Sequence, residues 1–339
     1  MSQHEAELSA ERRTGGFQKR RRKRDESLMV PDATFTSYYG RPVVKASPWE
    51  ADIPAYLFLG GLAAGSSLLG AGAQLTGRPS LRRVGRLSAL AAISVSFGAL
   101  VHDLGKPMRF VNMLRVAKVT SPMSVGTWIL SGYAPMVGAA AAAELVEVLP
   151  RALRGPARLV SAVAPVAGVG AALVAPAVAS YTGVLLADTS TPTWHAARKE
   201  LPFVFVGSAA AASGGLGMAL VSGQEAGPAR RLALGGALVE LAASEKMHRS
   251  LGIAAEPLHQ GKAGRLMRAS KALTIAGAVG SLLARRSRVA AVVSGAALLA
   301  GSACTRFGIF EAGQESARDP RYTVVPQRER IERGESAGA

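Results

Sequence analysis

The stretch PAYLFLGGLAAGSSLLGAGAQL, residues 54–75, holds no charged side chain. A bilayer core takes about 20 residues of helix, so this segment is long enough to cross one. A strand is excluded by its length, its Ala and Gly content and its lack of two-residue alternation. Gly61 and Gly65 lie one helical turn apart, which suits close helix packing. No strand precedes them, so they are not read as a phosphate-binding loop.

The same pattern recurs outward from this segment. Further apolar segments lie at about 87–101, 122–146, 159–187, 201–222, 232–244, 272–284 and 289–305. Segments two, six, seven and eight are short in their uncharged part. Flanking Arg83, Arg86, Arg230, Arg231, Arg286 and Arg288 are expected to snorkel and lengthen them. Segments six and seven also admit a re-entrant pair. All forty Lys and Arg are read as lying in tails or loops, and of 23 acids only Glu144 and Glu240 fall inside the segments, with Asp103 and Asp188 near segment ends. Burial in hydrocarbon enforces this sorting. The expectation is an all-α integral membrane protein, a bundle of about eight transmembrane helices over 54–305. Polar tails, 1–53 and 306–339, lie on the same side.

Composition agrees. Of 339 residues 49% are hydrophobic and 19% charged, and the mean hydropathy is +0.21. This excludes a disordered chain and a disulfide-stapled secreted fold. In a soluble protein the +17 charge would point to nucleic acid; here it is read as basic loops at a membrane surface, with no nucleic-acid partner. Residues 1–53 hold no hydrophobic region of a signal peptide, and Arg12-Arg13 is not followed by one. The basic run Lys19 to Arg24 is read as a solvated tail touching anionic lipid. Cys304 is the single cysteine, too few for a thiolate iron–sulfur or structural zinc site, so such a centre must sit on a partner. None of the five His lies deep in a segment, which disfavours a haem held by paired His. Basic loop counts leave the membrane orientation undecided.

Eight crossings put both termini on one side, called face one. Trp49, Asp52 and Tyr56 open the first segment there. His102 and Asp103 close the second, Tyr181 and Asp188 the fourth, and His248 the sixth, while Trp194 follows the fourth. An aromatic belt explains part of this set. It does not explain so many acids and His on one face.

Two stretches resemble the NrfD/PsrC family, the integral-membrane subunits of molybdopterin oxidoreductases that include polysulfide reductase. They are WEADIPAYLFLGGLAAGS (49–66) and HDLGKPMRF (102–110) running on to SPMSVGTW (121–128). YTGVLL (181–186), Pro192-Thr-Trp194 and Leu201-Pro-Phe match more weakly. SYYGRP (37–42) is similar to members encoded with formate dehydrogenases. The resemblance covers about residues 37–220. It implies a cell-membrane anchor that docks an iron–sulfur (ferredoxin-like) subunit and a molybdopterin catalytic subunit. It also implies electron exchange with a membrane quinone, menaquinone or ubiquinone, near the opening of the first helix. Family members of the polysulfide reductase type touch quinone with a His and an Asn on that helix, and neither residue type occurs between 49 and 66.

Asp52, Tyr56, His102 and Tyr181 are therefore the expected quinone-binding residues, since quinone carbonyls need hydrogen-bonding or acidic partners. Asp52 lies four residues before Tyr56, on one helix face; capping of the helix before Pro54 is the plainer role for it. Asp103 and Arg109, in a loop shaped by Gly105 and Pro107, are expected with Trp194 to dock the partner. Glu144, Glu240 and His248 form an expected proton path. Alternatively, Glu144 pairs with nearby Arg and Glu240 is a protonated acid bonded to a neighbouring helix. Two other classes stay open: a secondary transporter using the two glutamates, and a purely structural anchor.

Overall fold

The computed structural model describes residues 41–106, 108–146 and 154–334. The basic run at 19–24 lies outside them. The elements are α1 (Asp52–Leu75), α2 (Pro79–Asp103), α3 (Arg109–Leu114), α4 (Pro122–Leu145), α5 (Arg154–Ala187), α6 (Pro192–Ala196), α7 (Leu201–Leu220), α8 (Gly227–Ser250), α9 (Gly261–Leu283), α10 (Arg288–Arg318) and α11 (Arg321–Glu332), with short 3₁₀ turns between some of them. No strand occurs among the described residues. Eight of these helices are long. By length and composition α1, α2, Ser161–Ala187 of α5, α7 and α10 are apolar enough to cross a membrane.

The helix starts are written locally. Proline stands in the first turn of α2, α4, α6, α7 and α8, where its missing N–H costs nothing and its fixed φ suits the helix. Gly77, with φ 64°, turns the chain between α1 and α2, a backbone conformation that a side chain would strain.

Successive long helices pack as antiparallel hairpins: α1–α2, α4–α5, α7–α8 and α9–α10. α1 also meets α5, α7 and α10, and so joins the first four long helices to the last four. Small residues let the backbones approach. A Cβ on Gly85 would stand 2.7 Å from the Gly70 nitrogen, one on Gly236 2.3 Å from the Ala211 nitrogen, and one on Gly295 2.4 Å from the Gly215 carbonyl oxygen. Between apolar helices in lipid, such close packing replaces the hydrophobic effect as the source of association.

Contacts between distant loops fix the two faces. On face two, the Glu225 carboxylate accepts from the Ser80 and Leu81 backbone N–H groups at 2.8 and 3.3 Å, an anion at the positive end of α2. Arg78 donates to the Gln224 carbonyl at 2.8 Å. Arg288 donates to the Met218 and Val221 carbonyls, 3.2 and 3.0 Å, closing the C-terminal end of α7. On face one, Trp194 sits beside the outer end of α10, and Arg321 of α11 binds Glu256 at 2.7 Å.

Two expectations change. Segments six and seven, which also admitted a re-entrant pair, are continuous helices of 24 and 23 residues. The last segment, expected to end at residue 305, runs on to Arg318 and carries Arg306 inside the helix. A charge reads as a segment end in hydropathy, but Arg306 is fully buried. The guanidinium stacks 3.8 Å over the Phe205 ring and donates to the Phe205 carbonyl at 2.8 Å.

Candidate functional site

Near face one, α1, α2, α3 and α4 line a partly open apolar cavity of about 250 Å³. Tyr56, Ser96, Phe97, Phe110, Thr127 and Ser131 contribute to its wall. Phe97 and Phe110 meet edge to face, ring centroids 4.7 Å apart, so the short α3 forms part of the cover. Three of the four hydroxyls in the wall are already spent as donors. Ser96 donates to the Tyr56 carbonyl at 3.0 Å, Thr127 to Met123 at 2.9 Å and Ser131 to Thr127 at 2.7 Å. The Tyr56 phenol, on a residue 3% exposed, is the donor left for a guest.

Asp52 lies one turn outward on α1. It does not cap the helix: the N-cap position is Ala51, and no side-chain cap forms. Instead its Oδ2 stands 2.7 Å from Nδ1 of His102 at the end of α2. The His102 side chain is 82% exposed and that of Asp52 36%, so this pair sits at the interface rather than inside the cavity.

Tyr181 of α5 lies near Tyr56 but outside the cavity wall, and packs against α4 at Gly126, where a Cβ would stand 1.7 Å from the ring Cζ. The glycine is therefore the condition for the phenol's position. The structure thus gathers the four expected quinone-binding residues into two neighbouring pairs, Asp52–His102 and Tyr56–Tyr181.

The docking set divides. Arg109 is exposed and donates to the Leu104 carbonyl at 3.3 Å; Asp103 is half-buried at the end of α2. The connection around them exposes Met108, Val116 and Val119 together with Lys106, Arg115 and Lys118. Trp194, by contrast, is 0% exposed and cannot present its ring to a partner. Its indole N–H donates to the Ile309 carbonyl at 2.8 Å. The ring stacks on Trp49 (6.1 Å) and packs on Phe310 (5.5 Å), in room left by Gly313. An indole needs only one polar partner when buried, and α10 supplies it.

The three residues of the expected proton path are not contiguous. Glu144 on face two is held by Arg82 (2.8 Å), Arg86 (2.9 Å) and Arg83 (3.7 Å). Arg86 does not snorkel; it is 7% exposed and turns inward to this acid and to Gln74. Glu240 lies far along α8 and receives a hydrogen bond from Thr305 at 2.6 Å. His248 stands two turns outward on α8, its ring 4.7 Å from His259.

Three features escaped the sequence reading. Arg306 has been described. Tyr133 and Ser67, both buried, share a hydrogen bond of 2.7 Å between α4 and α1; a single tyrosine inside an apolar segment was the available signal. Tyr322 of α11 donates to Glu256 at 3.2 Å, and burial pushes its phenol up. Among the described residues no three His, Cys, Asp or Glu side chains converge as a metal-ligand set.

Comparison with known proteins agrees with this architecture. The family model described as polysulphide reductase, NrfD, matches residues 43–227, the stretch that carries α1 to α7. No curated protein matches the chain.

Proposed function

Because the chain belongs to the polysulphide reductase NrfD family, and so is a multi-pass membrane subunit of oxidoreductase complexes, we propose that it exchanges electrons between a partner iron–sulfur protein and a quinone of the cell membrane. The cavity behind Tyr56 is the quinone site in this reading. A quinone there supplies two-electron, two-proton redox chemistry; this chain's residues position it and manage protons.

One observation carries the proposal. Within the family-matched stretch lies an apolar cavity whose wall leaves a single hydroxyl, that of Tyr56, free to donate. The cavity fits the group: aromatic walls suit a planar ring, and a phenol O–H suits a carbonyl oxygen. Phe97 and Phe110 keep water from it. Tyr181, held by Gly126, fixes the neighbouring wall. Asp52 and His102, 2.7 Å apart at the interface, hold a proton between a carboxylate and an imidazole one turn outward.

The iron–sulfur subunit docks on face one, where Asp103, Arg109 and the exposed basic and apolar side chains around α3 form its seat. A molybdopterin catalytic subunit, acting on formate or a sulfur compound, lies beyond it. Electrons pass directly between the partner's cluster and the quinone, with no haem in this chain.

The test is quinone-dependent turnover of the purified complex. Tyr56→Phe removes one hydrogen bond to the quinone, worth about 1 kcal/mol, and lowers kcat/KM for quinone by roughly fivefold to tenfold. Turnover with a soluble dye that takes electrons from the catalytic subunit stays unchanged. Unaltered quinone kinetics in Tyr56→Phe would remove the cavity from the reaction.

A further inference from the structure

α8, α9 and the connection between them line a second cavity, of about 340 Å³, beyond the family-matched residues. Glu240, Ser270 and Thr274 form its inner end, and His248, His259 and Lys271 stand toward face one. Nδ1 of His248 is buried in its wall without a hydrogen-bond partner, and the neighbouring Oε2 of Glu240 and Oγ1 of Thr274 make no well-formed hydrogen bond. Glu240 is 2% exposed and Thr274 1%. Leaving such atoms unpaired is costly, and several around one roomy polar cavity are what ordered water satisfies.

The other carboxylate oxygen of Glu240 is built into a chain. Thr305 Oγ1 stands 2.6 Å from Oε1 of Glu240, 2.6 Å from Oγ of Ser270 and 3.1 Å from the Gly301 carbonyl. When Glu240 is ionised, Thr305 donates to it and Ser270 donates to Thr305. When Glu240 carries a proton on Oε1, Glu240 donates to Thr305, which turns its own proton to Gly301. Both protonation states therefore find a complete set of partners on that side. Arg306, the next residue on α10, compensates charge without locking the acid. It makes no direct ion pair with Glu240 among the described residues, and its Nε and Nη1 are unpartnered.

The geometry points to Glu240 as a proton-exchange site served by a hydrated inlet from face one. A proton leaves a hydronium ion at the mouth, passes along the cavity water and bonds to the carboxylate. It returns by the same route, and no electron moves. The charge that acts on Glu240 is Arg306 from α10; Lys271 and Arg268 from α9, Glu245 and His248 from α8, and His259 from the connecting turn share the cavity wall with it. α7 presents the uncharged Ser208. Burial favours the acid and the Arg306 guanidinium favours the carboxylate. This inference stands without the quinone reading, since neither measurement below needs turnover.

Two measurements on the full chain with its partner subunits, in liposomes, test it. The first uses a Cys304→Ser background and a small, charged, water-soluble thiol reagent. Thr274→Cys and Ser270→Cys should react from the same side as Val119→Cys on face one. They should react at least about tenfold faster than Ser302→Cys, which is also buried but lies outside this cavity's wall. Equal, slow labelling at 270, 274 and 302 overturns the inlet. The second is a pH-induced infrared difference spectrum. Acidification should raise a protonated-carboxyl C=O band that Glu240→Gln lacks and Glu240→Asp shifts. A band common to wild type and both variants, or no band in wild type, overturns the assignment to Glu240.

Discussion

Glu144 and Glu240 are the same residue type, both buried, at 5% and 2% exposure, yet their surroundings are opposite. Glu144 meets three arginines from one turn of α2, and one of them, Arg86, is buried with it. Its charge is answered on contact, and the ion pairs tie α4 to α2. Glu240 meets hydroxyls instead of cations and has its nearest guanidinium turned to Phe205. The difference teaches that burial alone does not make an intramembrane acid chemical. What matters is whether its partners satisfy both protonation states or only one. The first acid is built into a structural ion-pair cluster; the second is the one proposed to change state.

Substitutions sharpen or break this contrast. The largest stability effect is expected at Glu144. Glu144→Ala leaves Arg86 buried beside two other arginines without their common anion. Breaking a buried pair of this kind costs about 3–5 kcal/mol, carried mainly by Arg86 because Arg82 and Arg83 are partly solvated. Thermal unfolding of the detergent-solubilised complex reads it directly, and a loss no larger than that of the next variant would erase the distinction between the two acids.

Thr305→Val comes second. It removes the hydroxyl between Ser270 and Glu240 and leaves an oxygen of each short of a partner, at a cost of about 1–3 kcal/mol. The infrared carboxyl band of Glu240 should move as well, because its immediate partner is gone. A band unmoved by Thr305→Val would mean the hydroxyl chain does not govern the acid.

The smallest stability effect is expected at Glu240→Gln, about 1 kcal/mol, since the amide keeps an acceptor for Thr305 and turns its N–H groups to the cavity. Its consequence is functional: proton exchange from face one is lost while quinone kinetics and assembly persist. If Glu240→Gln destabilises the complex as much as Glu144→Ala, then Glu240 is a structural anion paired with Arg306, and the comparison fails.

Much of the first four helices was legible in the chain. Asp52 and Tyr56 share a face because they are four residues apart, and the motif stretches led to the family that the match over 43–227 shows. The cavity behind Tyr56 was not legible, because it depends on α3 folding back so that Phe110 meets Phe97. Trp194 illustrates the limit from the other side. An aromatic residue in a loop beside Pro192 read as surface, and only the approach of Gly313 on α10 shows that the loop turns its ring inward.

The long helices and their alternation between two faces were written in the chain. Those follow from hydropathy, proline starts and charge sorting, all of them properties of neighbouring residues. The partner of each polar group, within the bundle or at its rim, is settled only by packing. Asp52 with His102, Glu144 with Arg86, Trp194 with Ile309 and Glu240 with Thr305 are pairs 50, 58, 115 and 65 residues apart. The physical reason is range. A helix is written by contacts three or four residues away, whereas the solvation of a buried charge is set by whichever helix packs against it.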